Sequence, residues 1–78
     1  MSQKSKRLAW QCRRGMLELD LLLIAFFHDH YSHLKTEDQK LFEQLLTFQD
    51  AELYQWLVKG EKPDAVFEVI IRAIVCGH

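Results

Sequence analysis

The seven residues 21–27 contain no polar side chain, and this run limits most strongly how the chain can fold. A helix that crosses a membrane needs about 20 apolar residues, so the run is too short to span a bilayer. We therefore expect it to be the buried central segment of a folded domain. With 78 residues in all, the chain predicts one domain over 1–78, without space for an enzyme's second domain or an enclosed cofactor cradle.

The composition agrees with a globular protein. Hydrophobic residues make up 49% and charged residues 27% of the chain, which argues against intrinsic disorder. Cys12 and Cys76 are the two cysteines and follow no secretory signal, so reduced thiols in a cytosol are expected. No membrane segment is predicted.

The charges are distributed unevenly along the chain. Residues 1–14 hold five of the ten Lys and Arg side chains and none of the eleven acids. A basic arm on an acidic body can indicate a nucleic-acid or acidic-protein partner. It can equally be the solvated polar face of an exposed helix, and the charge pattern alone leaves both interpretations open.

Helical spacing of apolar residues and helix punctuation predict five helices. The first covers residues 5–13, the second 16–34, the third begins at 36, the fourth covers 50–60 and the fifth opens at 63–64. Thr36 and Gln39 predict a capping box, Asp50 an N-cap and Gly60 a helix end. Short connections between these helices predict an all-α fold, a compact antiparallel five-helix bundle.

Each helix has a predicted core face. The expected core residues are, in chain order, Leu8 and Cys12; Leu17, Leu21, Ile24 and Phe27; Leu41, Phe42, Leu45 and Leu46; Leu53, Trp56 and Leu57; Val66, Phe67, Ile70 and Ile74. The second helix is apolar on nearly every side, which predicts a central position in the bundle.

A histidine cluster is the strongest candidate for a metal site. His28, His30 and His33 lie close together, but zinc sites usually draw their ligands from separated pairs, and no suitably spaced Cys or Glu completes a set. A polar helix end explains the cluster better, so we predict no metal. No nucleophile motif or phosphate loop is present either, which predicts a protein that is not an enzyme and holds no cofactor.

The segment Arg14-Gly15-x-x-Glu18 permits two interpretations. In the first, Gly15 caps a helix, the helix dipole stabilises the acidic Glu18 near the start of the second helix, and Arg14 is solvated. In the second, Gly15 allows a partner's backbone to approach, while Arg14 offers a planar donor fork and Glu18 an acceptor. The second predicts an exposed binding patch, extended by Arg13 and Asp20.

Residues 14–23, with Arg14-Gly15-x-x-Glu18 at their start, resemble the signature of the SdhE family, also called succinate dehydrogenase assembly factor 2. A second recurrent pattern of that family is matched by Asp50-x-x-Leu53-x-x-Trp56-Leu57. The resemblance covers essentially the whole chain, apart from the closing residues 75–78.

The resemblance implies a helical assembly factor that promotes covalent attachment of FAD to the flavoprotein subunit of succinate dehydrogenase and, in some members, of fumarate reductase. It implies partner binding through Arg14, Gly15 and Glu18. Without a transit peptide, a bacterial, cytoplasmic member is expected, and we expect a monomer. Some family members have carried an antitoxin label, so the alternative is a nucleic-acid- or toxin-binding regulator that uses the basic arm. Glu18 would repel nucleic acid, which favours the protein partner.

Overall fold

Five α-helices and two short 3-10 turns make up residues 3–76, the part of the chain that the computed structural model describes. The α-helices are α1 (Gln3–Gln11), α2 (Leu17–His30), α3 (Thr36–Leu45), α4 (Asp50–Leu57) and α5 (Glu68–Cys76). The 3-10 turns are Tyr31–His33 and Ala65–Phe67, and no strand occurs in residues 3–76. The all-α class is therefore confirmed. The radius of gyration of 11.4 Å is close to the roughly 11.5 Å expected for a compact domain of this length.

The first and fourth helices end at Gln11 and Leu57, two and three residues before the predicted ends, and the largest differences concern the second and the fifth helices. The second helix was expected to continue to residue 34, but α2 ends at His30 and a 3-10 turn follows. The fifth was expected from residue 63, but α5 begins at Glu68, after the 3-10 turn Ala65–Phe67. Tighter 3-10 turns are common where a helix begins or ends, and apolar spacing does not distinguish them from α-helix.

The two predicted side-chain caps are wrong. Neither Thr36 nor Asp50 is an N-cap, because Lys35 and Gln49 hold those positions and their side chains form no cap hydrogen bond. Gln39 Nε2 instead donates to the carbonyl of Tyr31 at 2.9 Å, which ties α3 to the turn after α2. Gly60 does follow α4, with a positive φ of 76° that favours glycine.

Every α-helix contributes side chains to one apolar core. Its buried members are Leu8, Cys12, Leu19, Leu23, Phe26, Phe42, Leu45, Leu46, Leu53, Leu57, Phe67, Ile70, Ile71 and Ile74. Leu8 and Cys12 confirm the predicted face of α1. Trp56, expected in the core, is half-buried and packs against it.

The predicted core face of α2 is wrong for Leu17 and Leu21, although Leu23 and Phe26 confirm that part of the run 21–27 is buried. Leu17 is 67% and Leu21 is 61% exposed, whereas Leu19, Leu23 and Phe26 are buried. Both sets of residues have helical spacing, and α2 is apolar on nearly every side, so spacing alone could not select between them. Contacts of α2 with α4 and α5 decide which face is covered. Val66 is also exposed, whereas Phe67, its neighbour in the same 3-10 turn, is buried.

Within residues 3–76, none of the helices has both the length and the apolar character that spanning a membrane demands.

Candidate protein-binding site

Arg14, expected to lie exposed, points into the protein. Its side chain is only 14% exposed. Nε donates to Asp50 Oδ1 at 2.8 Å, and Nη1 donates to the carbonyls of Leu46 at 2.8 Å and Gln11 at 3.2 Å. Nη2 donates to the carbonyl of Phe48. The expected exposure of Arg14 is therefore wrong, because these partners occupy its guanidinium group.

This side chain connects parts of the chain that are far apart in sequence. Arg14 and Asp50 are separated by 36 positions, and their ion pair joins the end of α1 to the start of α4. The bonds to Leu46 and Phe48 add the α3–α4 connection. A planar guanidinium with five N–H donors can satisfy several carbonyl and carboxylate oxygens at once, which a lysine cannot do. Arg14-Gly15-x-x-Glu18 and Asp50-x-x-Leu53-x-x-Trp56-Leu57 are thus physically joined.

Asp20 orders the turn between α1 and α2. Its Oδ1 accepts a hydrogen bond from the backbone N–H of Arg14 at 2.6 Å, and its own N–H donates to the carbonyl of Met16 at 2.9 Å. The residue is half-buried. Asp20 therefore holds the segment 14–16 against the first turn of α2.

Gly15 is exposed and has a φ of 89°. L-residues other than glycine rarely adopt this conformation, so the turn itself favours glycine. A Cβ built at Gly15 would have no other atom within 4 Å, so the space outside it is open. Gly15 consequently fits both earlier interpretations: it forms the turn, and it leaves the backbone accessible.

Arg13 and Glu18 are exposed on either side of Gly15. Glu18 lies in the first turn of α2, where the helix dipole favours an acidic side chain. The structure therefore divides the five predicted site residues into two groups. Arg13, Gly15 and Glu18 form the exposed group, whereas Arg14 and Asp20 hold the turn that presents it.

Three large apolar side chains near this segment are also exposed. They are Trp10 at 74%, Leu17 at 67% and Leu21 at 61%. Leu17 precedes Glu18 directly, and Leu21 follows one helical turn after Leu17. Both leucines were predicted to lie in the core, because apolar spacing alone does not show which face of a helix is solvated.

The second motif builds the core behind the site. Leu53 and Leu57 are buried. Trp56 packs edge-on against Phe48, with ring centroids 5.1 Å apart, and its ring lies 6.3 Å from that of Phe67. Since Phe48 also accepts a hydrogen bond from Arg14, the motif supports the segment that Arg14 ties down.

Cys12 is a core residue and a poor nucleophile. It is fully buried, and this burial raises the pKa of its thiol from 9.0 to about 12, against the opposing effect of the Arg14 charge. Asp20 raises the pKa further. A buried thiol with so high a pKa stays protonated and unreactive at neutral pH.

The histidine cluster does not converge in the structure. His28 and His33 are exposed, while the half-buried His30 packs its ring 5.4 Å from that of Phe26. Among residues 3–76, no group of three or more His, Cys, Asp or Glu side chains could hold a metal ion. The lack of a metal site nevertheless stays a prediction, to be checked by zinc titration.

Known proteins resemble this chain over most of its length. Residues 6–75 match the family described as "Flavinator of succinate dehydrogenase". The FAD assembly factor SdhE of Colwellia psychrerythraea is 56% identical over 73 residues, which cover 87% of this chain and 80% of that protein. SdhE of Coxiella burnetii is 44% identical over 71 residues, covering 90% and 87% of the two chains. SdhE of Legionella pneumophila is 46% identical over 73 residues, covering 94% and 92%. Both motifs lie within the matched residues 6–75.

Proposed function

Since this chain belongs to the flavinator of succinate dehydrogenase family, we propose that it is an FAD assembly factor that binds the flavoprotein subunit of succinate dehydrogenase and promotes covalent attachment of its FAD. The related fumarate reductase subunit is a second client in this proposal. The chain acts as a monomeric, antiparallel five-helix bundle in the cytoplasm of a bacterium. It is not the catalyst, because the client supplies both the FAD and the side chain that attacks it.

The main support for this proposal is the match over residues 6–75, which includes both motifs. The geometry also separates the motif residues into an exposed group and an internally bonded group. Gly15 and Glu18 are exposed and can meet a partner, while Arg14 and Asp20 are held by hydrogen bonds inside the protein. We therefore assign Gly15, Glu18 and Arg13 to contact with the client and Arg14 and Asp20 to positioning.

The proposed mechanism is selective binding. A protein as small as this one presents a limited surface, and a few anchor residues can supply most of the binding free energy. If the surface around Gly15 binds the FAD-loaded client more tightly before attachment than after it, binding raises the population of the reactive arrangement. The same difference in affinity then releases the finished flavoprotein.

Gly15 gives the first test, in a bacterial strain whose own gene of this family is deleted. Covalent flavin on the flavoprotein subunit is measured by in-gel fluorescence. The deletion should lower the signal and the wild-type chain should restore it, whereas Gly15→Arg should restore it poorly. Gly60→Arg is the matched control, because Gly60 also has a positive φ and open space at its Cβ. Both variants carry a similar backbone strain of about 1–2 kcal/mol, so only the position on the surface differs.

Glu18→Ala serves as a companion variant, with Glu52→Ala as its control. Both glutamates are exposed in the first turn of a helix, so each substitution should cost under about 1 kcal/mol of stability. Only Glu18→Ala should impair flavin attachment. Normal attachment in the deletion strain would disprove the proposal. Salt-sensitive capture of RNA or DNA by the purified chain in that case would favour the regulator that uses the basic arm.

A further inference from the structure

The outer face of α2 carries an apolar stripe that the fold of this chain does not use. We define this stripe as Leu17, Leu21 and Ile24, which follow each other at i, i+4 and i+7 and therefore line one side of the helix. Leu17 and Leu21 are mostly exposed, and Ile24 is half-buried. The buried side of α2 is formed by Leu19, Leu23 and Phe26. Of the stripe, Ile24 also packs against the core, whereas Leu17 and Leu21 lie mostly outside it.

The stripe continues into a cleft between α1 and α2. Ile24 and Phe27 line this cleft from α2, Ala9 lines it from α1, and Cys12 and Arg13 line it from the connection after α1. The volume of the cleft is about 200 Å³. Single exposed leucines are ordinary on protein surfaces. Two neighbouring ones that lead into a cleft form a continuous apolar surface, which is typical of interaction sites.

The stripe is also interleaved with the polar residues proposed to meet the client. Gly15 lies just before Leu17, and Glu18 and Leu21 are neighbours at i, i+3 on α2, so a partner that contacts Glu18 comes close to Leu21. We propose that the stripe is the apolar half of the client-binding surface. This inference rests on the proposed function and adds the chemistry of the contacting segment.

The segment of the client must then carry apolar side chains that cover Leu17 and Leu21 and a Lys or Arg that pairs with Glu18. The i, i+4, i+7 spacing of the stripe suits an apolar helix face laid along α2. A second copy of this chain is the competing occupant, and the sedimentation experiment below distinguishes it from the client.

The test uses calorimetry to measure the affinity of the purified chain for purified flavoprotein subunit that carries noncovalently bound FAD. Leu17→Gln/Leu21→Gln should weaken binding at least about tenfold, since two apolar anchors of the proposed surface would be replaced by polar side chains. The midpoint of thermal unfolding of this double variant should remain close to that of the wild type, because neither leucine is buried. The matched control is Val66→Gln/Val69→Gln, which changes two valines that are 60% and 72% exposed elsewhere on the surface. Its affinity should stay within about twofold of wild type.

Three results would overturn the inference. Equal affinity of the leucine double variant and the wild type, when the wild type binds, would remove the stripe from the interface but leave the proposed function intact. Failure of the wild type to bind would contradict both. A concentration-dependent dimer in sedimentation that the leucine variant abolishes would show that a second copy covers the stripe.

Discussion

At the scale of single residues, Arg13 and Arg14 are neighbouring cations with opposite surroundings. Arg13 is exposed, whereas the Arg14 side chain is enclosed by Asp50 and backbone carbonyls. Arg14→Lys should lower the free energy of unfolding by about 1.5–3 kcal/mol, because an ammonium group cannot replace the planar fork and leaves carbonyls unpaired. Urea denaturation measures this, with Arg13→Lys as the control that should change stability by under about 0.5 kcal/mol. Equal stability of the two variants would contradict the assigned role of Arg14.

Cys12 predicts a loss of stability at alkaline pH. Its pKa is about 12 in the folded protein and 9.0 ordinarily, so between these values the unfolded chain releases a proton that the folded chain keeps. The free energy of unfolding should therefore fall as pH rises above 9.0, by at most about 1.4 kcal/mol per pH unit from this group. Below pH 9.0 the thiol is protonated in both states and contributes no slope.

Urea denaturation at several pH values between 8 and 10.5 measures the slope. Cys12→Ala should flatten it, whatever the cavity costs in absolute stability. A remainder is expected from Tyr31, whose pKa is also raised to about 12, by burial and by its hydrogen bond to Glu43. An identical slope in wild type and variant would contradict this account.

At the scale of the helix, α2 offers two leucines that differ only in the face they occupy. Leu23→Ala should cost about 2–5 kcal/mol, because it leaves a cavity in the core. Leu21→Ala should cost under about 1 kcal/mol, because the side chain is mostly solvated. Chemical denaturation compares the two in one helix, and similar losses would show that Leu21 is packed in solution.

The positions of the helices could be predicted well from the sequence, but the buried and solvated faces could be predicted less well. Apolar spacing identified the buried faces of α3 and α4, because polar residues mark the opposite sides of those helices. In α2 that contrast is missing, so the buried set and the exposed set fit the same spacing. The cap at Thr36 failed for a different reason: Lys35 holds the N-cap position, and the amide of Gln39 donates to the carbonyl of Tyr31 in the preceding turn.

For the whole molecule, the all-α class followed from the pattern, because the helix class depends on apolar spacing along the entire chain and not on any single residue. The binding site followed only in part. Gly15 and Glu18 lie where the exposed patch was expected, and the predicted contact of both with a partner remains to be tested. The roles of Arg14 and Asp20 depend on partners that only the folded chain brings near. No local pattern reveals that Arg14 meets a residue 36 positions later.

The enclosed Arg14 has a consequence for how mutations in this protein would be recognised in living cells. A variant that loses a kilocalorie or two of stability is cleared by proteases and falls in abundance. Variants of Arg14 or Asp50 would thus reduce flavin attachment by lowering the amount of protein, and overexpression should compensate. Variants of Glu18 would be present at normal levels, but each molecule would promote flavin attachment less well if Glu18 contacts the client as proposed. A growth screen alone would group these two kinds of allele together, and only the protein level separates them.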